Sequence, residues 1–143
     1  MQRFSSIVLV DPRGWVLLQE RDEHPLIDPE MWGFVGGQVD DGEAYLAAAY
    51  RELAEETGIE LDRGLELYDV FPVQHAHKDT PDEFCLFVMR TELTDADIVL
   101  GEGRQIVFVD PGRVPQLPLT AAARIALPPF LASAAYRRLA AGD

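Results

Sequence analysis

At 143 residues the chain is long enough to bury a core without disulfide or metal staples, and one domain over residues 1–143 is the simplest expectation. Hydrophobic residues make up 48% and charged residues 26%, the composition of a folded globular protein rather than a disordered or fibrous one. Twenty-five acids against twelve Lys plus Arg leave a formal charge of −13, which opposes binding to duplex nucleic acid and to anionic lipid, both held through basic patches.

The opening Met1 to Ser6 shows no charged segment leading into an apolar stretch and a cleavage site, and no apolar run approaches membrane-spanning length. A cytoplasmic location with no membrane partner is therefore expected. Ser6 to Val10 and Trp15 to Gln19 are β-rich runs separated by Asp11-Pro12-Arg13-Gly14, which predicts a hairpin. Trp32 to Val35 reads as one short strand ending in Gly36-Gly37. A helix follows from about Asp41 to Thr57, with Asp40 in the N-cap place, Glu43 three residues on, and Gly58 suited to a left-handed cap.

Further strands are predicted at Leu67 to Val73, Glu83 to Thr91 and Gln105 to Val109, then helix from Leu119 to Ala141 interrupted at Pro128-Pro129. The lone Cys85 lies in the apolar run Phe84 to Met89, where it serves as a small buried hydrophobe. Strands mixed with two helices imply an α/β sandwich. The hairpin gives antiparallel pairing and the strand, helix, strand passage allows a parallel pair, so the sheet is expected to be mixed, with helices on both faces.

The central helix separates two populations of side chain. With Glu52 as zero, Glu56 falls near +40° and Glu55 near −60°, so three carboxylates share an arc of about 100°. Leu46, Ala47, Tyr50, Leu53 and Ala54 fall roughly opposite and are expected to pack on the sheet. A solvated acidic face is the plain alternative. Against it, like charges four apart destabilise a helix by roughly 0.2–0.5 kcal/mol, acids late in a helix oppose its dipole, and no lysine lies among them. Arg51, four residues before Glu55, is the nearby cation, able to hold one carboxylate while others remain free for a metal ion. Hard divalent ions suit such oxygens, and they let an acidic protein bind anionic phosphates.

From Gly37 to Ile59 the sequence resembles the Nudix signature, G-x5-E-x7-R-E-U-x-E-E-x-G-U with U aliphatic, met here by Gly37, Glu43, Arg51, Glu52, Leu53, Glu55, Glu56, Gly58 and Ile59. Every specified position matches. The resemblance implies a Nudix-type α/β/α sandwich in which Glu52, Glu55 and Glu56 ligate Mg²⁺ or Mn²⁺, with the Gly37 carbonyl as a further ligand and Arg51 and Glu43 bracing the site. It implies hydrolysis of a phosphoanhydride in a nucleoside diphosphate linked to another moiety, by attack of water on phosphorus. The alternative is a nucleoside triphosphate pyrophosphatase acting on normal or damaged nucleotides. A Nudix-like binding module is a third reading, although such domains often lose signature acids and none is lost here. Val35 stands where relatives commonly carry proline, which leaves loop shape and substrate class open.

Outside the signature, Arg21 sits where some relatives carry a phosphate-contacting arginine, or else belongs to a solvated turn, Arg21-Asp22-Glu23. Glu102 resembles the extra acid, metal ligand or general base, that many members present opposite the helix, or is a surface loop acid. His75 and His77, with Asp79, Asp82 and Glu83, either edge the site or form a polar loop. Of the aromatics Trp32, Phe34, Tyr68 and Phe71, one is expected to stack on a base, and Trp32 and Phe34 are the substrate-contact candidates. The expected partner is a small nucleotide-like molecule rather than a nucleic acid polymer, and assembly is left open, with a homodimer as one option.

Overall fold

A computed structural model describes residues 1–25 and 29–142. Strands β1 (Arg3–Val10), β2 (Val16–Glu20), β3 (Trp32–Gly33) and β4 (Val35–Gln38) precede helix α1 (Tyr45–Thr57). Strands β5 (Glu66–Val73), β6 (Asp82–Arg90) and β7 (Gln105–Val109) follow, then helices α2 (Ala121–Leu131) and α3 (Ala134–Ala141). The seven strands form one mixed sheet ordered β3-β2-β1-β6-β5, with β4 also on β1 and β7 also on β2. The parallel pair is β1 with β6, in register from Arg3 opposite Glu83 to Val10 opposite Arg90.

Strand β1 explains the layering. Its Ile7 and Leu9 join Leu53, Ile59 and Phe87 in a core beneath α1, while Val8 and Val10 join Leu127 and Phe130 in a core beneath α2. Alternate side chains of a strand point to opposite faces, so a strand covered on both sides reads as the uninterrupted apolar run Ile7-Val8-Leu9-Val10. The expected α/β sandwich, with helices on both faces of a mixed sheet, is thus present.

Several boundaries differ from the sequence reading. The β1 to β2 hairpin is paired only at Val10 opposite Val16. Beyond that rung the strands splay, and β4 takes the lower half of β1, from Phe4 opposite Gln38 to Ile7 opposite Val35. The segment Trp32 to Val35 is not one strand, since the chain switches partners at Phe34, from β2 to β1. Helix α1 begins at Tyr45, with Ala44 at the cap and no side-chain cap bond. Asp40 and Glu43 instead close a turn, Glu43 N–H to Asp40 O at 3.0 Å and Asp40 N–H to Glu43 Oε1 at 3.0 Å. Leu46 and Ala47 are exposed, and Ala48, Ala49 and Leu53 form the buried stripe. At the other end Gly58 caps in the left-handed region, φ 75°, as expected.

The paired prolines lie inside α2 rather than ending it. Each proline removes the bond to the carbonyl four residues earlier. Those carbonyls belong to Arg124 and Ile125, both exposed, so water meets them, and the wholly buried Phe130 still anchors the last turn. The break falls one turn later, where Ser133 caps α3 by accepting from Tyr136 N–H at 3.1 Å.

Gly36 in β4 has φ 151°, and a Cβ there would overlap the Ser5 carbonyl of β1 and lie 2.9 Å from Ser6 Cα. Only glycine lets these backbones approach so closely. Gly36→Ala is expected to destabilise the fold by about 3 kcal/mol, because backbone must move rather than a flexible side chain. Urea unfolding tests this, and an unchanged midpoint would contradict it.

Candidate active site

The second half of α1 supplies the acids. Glu52, Glu55 and Glu56 line one open recess together with Gly36, Gly37, Gly101 and Glu102. Their burial is graded: Glu55 is exposed, Glu52 is partly buried, and Glu56 is only 8% exposed. At Gly37 a Cβ would stand 2.5 Å from the Glu52 carboxyl group, so glycine is what lets this carboxylate lie against the β4 backbone. Helical spacing placed the three glutamates on a shared face, and the Nudix resemblance alone implied a role for Gly37 beside them.

Arg51 reaches Glu43 as well as the acids of the recess. Its guanidinium grips Glu43 with two bonds, Nε to Oε2 at 2.8 Å and Nη2 to Oε1 at 2.9 Å, and also donates to the Gln38 carbonyl at 3.0 Å. Among the recess acids it is nearest Glu52, at 2.9 Å, and farther from Glu55, at 3.2 Å. Its primary partner thus locks the loop before the helix onto the helix itself. The Arg51 hydrogen bonds, helped by the Asp40 N–H, bring the Glu43 carboxyl down to about 2.

Glu56 receives no such cation. Burial, then the charges of Glu102 and Glu52, push its carboxyl up to about 7, with a Gln19 hydrogen bond opposing them. Burial likewise raises Glu52, against the pull of Arg51. The recess therefore gathers more negative charge than its one arginine neutralises.

Glu102 reaches this recess from the loop between β6 and β7. That loop is tied to the end of α1 by Val99 N–H to Thr57 O and Gly101 N–H to Glu56 O, both 2.8 Å. Arg104 N–H bonds Glu20 O at 2.9 Å and fixes its far side. Gln19, buried on β2, donates from Nε2 to Glu56 Oε2 at 3.2 Å and to the Glu102 carbonyl at 3.0 Å.

Among the described residues no three acidic, histidine or cysteine side chains already converge tightly enough to cage an ion. The carboxylates ring the recess instead. Their chemistry nevertheless fits a hard divalent cation: all donors are oxygens, and the raised Glu56 and Glu52 report charge that a cation would relieve.

A second recess meets the first at Gly36 and Gly37 and is lined by Phe4, Phe34, Phe84, His75 and Arg21 among others. Phe4 and Phe84 stack with centroids 4.7 Å apart. Arg21 Nε is buried there without a hydrogen-bond partner. A third hollow shares Arg21 with the second and Gly101 and Glu102 with the first.

Trp32 is not part of this depression. It lines a separate hollow with Gln105, Val107 and Leu117. Phe71 is buried and Tyr68 packs edge-on against Phe130, so both are core. Of the histidine cluster only His75 enters a recess. His77 and Asp79 are exposed. The buried Asp82 holds Lys78 at 2.8 Å and the Gln2 N–H at 2.9 Å, and Glu83 accepts from Tyr45 Oη. Cys85 is buried, which pushes its thiol up to about 11.

The family profile described as NUDIX domain matches residues 2–130, nearly the whole chain. The chain belongs to the Nudix hydrolase family. The RNA pyrophosphohydrolase of Caulobacter vibrioides is 49% identical over 54 residues, which is 38% of this chain and 30% of that protein. The matched segment is thus under a third of that relative's length. Among solved structures, the MutT NUDIX hydrolase from Burkholderia pseudomallei has TM-score 0.75 at 28% identity, covering 89% of this chain and 95% of that one. The mMutator MutT protein from Bacillus halodurans has TM-score 0.68 at 26% identity, covering 93% and 84%.

In this Nudix domain the residues that sequence reading missed are Gln19, Phe4 and Phe84. Gln19 ends an apolar strand and looks like an ordinary edge polar group, and the two phenylalanines meet only through the parallel pairing of β1 with β6. No helix of the described residues is long and apolar enough to cross a membrane.

The Glu56 environment sets a pH dependence. A folded-state value near 7 against an ordinary 4.5 means that folding favours the protonated acid. Its contribution is complete below about pH 4.5 and is lost as pH rises through about 7. In chelator, Glu56→Gln should melt about 5 °C above the parent at pH 8, the gap closing as pH falls to 5. Equal melting temperatures at pH 8 would show that Glu56 carries no such penalty.

Proposed function

We propose that this chain is a metal-dependent hydrolase that cleaves a phosphoanhydride bond in a nucleoside diphosphate linked to another moiety. One observation carries the reading: an acidic recess and an aromatic recess meet at Gly36 and Gly37, with Arg21 bordering the latter. A diphosphate needs the first, and a base with its sugar suits the second. The lone, buried Cys85 reads best with action in the reducing cytoplasm.

Glu52, Glu55 and Glu56, with the Gly37 carbonyl, would hold Mg²⁺ or Mn²⁺. Such an ion neutralises phosphoryl oxygens and promotes ionisation of water. The remaining work belongs to the protein's own groups. Arg51 and Glu43 keep the loop and helix in fixed register, so the acids are oriented before substrate arrives. Arg21 donates its unpaired N–H to a phosphate oxygen or to the nucleoside. Phe34, Phe4 and Phe84 shelter the base. Glu102 takes the proton of the attacking water from another wall of the acidic recess.

The second reading is a nucleoside triphosphate pyrophosphatase acting on normal or damaged nucleotides, supported by the MutT-named structures of similar fold at 28% and 26% identity. Both readings use the same acids. A panel of nucleoside diphosphate conjugates and nucleoside triphosphates, with a 5′-triphosphorylated RNA oligonucleotide as the polymer control, separates them by kcat/KM. Products formed in ¹⁸O-labelled water identify the phosphorus attacked. No release from any substrate with Mg²⁺ or Mn²⁺, together with tight nucleotide binding by calorimetry, would make the chain a binding module instead.

On the preferred substrate, Glu55→Gln and Glu56→Gln should each lower kcat by at least ~10²-fold while leaving the circular dichroism spectrum unchanged. Near-normal turnover in both would refute these roles. Arg21→Ala should raise KM about 10-fold with kcat changed by less than about threefold, the mark of uniform binding lost. A fall in kcat alone would move Arg21 from binding to chemistry.

A further inference from the structure

Gln19 is a buried side chain that touches both halves of the acidic recess. It stands on β2, facing the α1 side of the sheet at the far end from the hairpin, and is 7% exposed. One amide nitrogen serves two acceptors: Glu56 Oε2 at 3.2 Å, on the last turn of α1, and the main-chain carbonyl of Glu102 at 3.0 Å. An amide NH₂ has two donors, so both can be satisfied at once.

The loop bearing Glu102 is tied down on either side of that residue. Val99 and Gly101 tie its start to the carbonyls of Thr57 and Glu56, and Arg104 ties its end to Glu20. Between these ties the Glu102 side chain is exposed, and the bond from Gln19 to its own carbonyl is the anchor next to it. The same nitrogen fixes the rotation of the Glu56 carboxylate. Movement of either partner therefore strains the other.

We propose that Gln19 is a positioning residue that sets the Glu56 carboxylate and the Glu102 loop at a fixed separation, coupling a cation-holding acid of α1 to the acid facing it. The proposal rests on Glu56 and Glu102 being site groups. Gln19 itself touches neither the substrate nor the reacting water. Its effect is transmitted through the orientation of the groups that do, and groups of this kind commonly change metal affinity or turnover when removed.

Gln19→Met keeps the length and bulk of the side chain and removes both N–H donors, while Gln19→Leu, a smaller uncharged side chain, also removes them. The second variant serves if the first fails to fold. Mn²⁺ affinity is read by electron paramagnetic resonance of the free ion, and turnover with the preferred substrate is measured alongside. Either variant should weaken Mn²⁺ binding and lower kcat by about 10-fold each, with KM within about twofold. In a double-mutant cycle Glu102→Gln should lose most of its own effect in the Gln19→Met background, because the two act as one unit.

A purely structural glutamine would lower the melting temperature yet leave Mn²⁺ affinity and kcat as in the parent, with effects that multiply. That result overturns the coupling and leaves the hydrolase reading standing. Conversely, a parent protein that binds Mn²⁺ but turns over no substrate sinks the hydrolase reading, while the cycle measured on Mn²⁺ affinity still decides the role of Gln19. A parent that binds no Mn²⁺ contradicts both.

Discussion

The arrangement of this molecule depends on unbalanced negative charge held at the end of one helix. Glu52, Glu55 and Glu56 share a face of α1, and Glu102 meets them from a loop, yet the Arg51 guanidinium that reaches them is committed first to Glu43. Burying Glu56 without a cation works against folding, as its rise to about 7 records. A fold selected for stability alone would replace that acid. Its retention makes physical sense when a divalent ion completes the charge balance.

The rest of the fold fixes that recess in place. The sheet is covered on both faces, so the second half of β1, Ile7 to Val10, can be wholly apolar, and the strand forms the rigid floor on which β4 and α1 are laid. Gly36 permits the close contact of β4 with β1, and Gly37 permits the approach of Glu52 to β4. Arg51 and Glu43 then clamp the intervening loop. Rigid support of this kind keeps acidic groups at set positions without a bound ligand, which is the condition for electrostatic preorganisation.

The shared face of Glu52, Glu55 and Glu56 was legible because a period of 3.6 residues maps sequence directly onto position, whereas Gly37 entered only through the resemblance to the Nudix signature. Gly58 was legible too, since its left-handed φ is a local demand. What sequence could not reveal came from partners distant in the chain. The reach of Arg51 to Glu55 follows from their spacing of four residues, while its two-bond grip on Glu43, eight residues away, has no such local signal. The helix start was displaced because Glu43, drawn to Arg51, left Asp40 in a turn rather than a cap. Trp32 and Phe34 line different hollows, and β3 and β4 pair with different strands, facts of topology with no local signal. Gln19 gained its importance only from the loop folded over it.

Proton release on cation binding tests the central claim most directly. If a divalent ion enters a recess where Glu56 is about half protonated near pH 7, it must displace that proton. Calorimetric titration of the protein with Mn²⁺ at pH 7, repeated in buffers of different ionisation enthalpy, should give a net release on the order of half a proton, falling towards zero at pH 9. Binding with no proton release at pH 7, or no binding at all, would contradict the account.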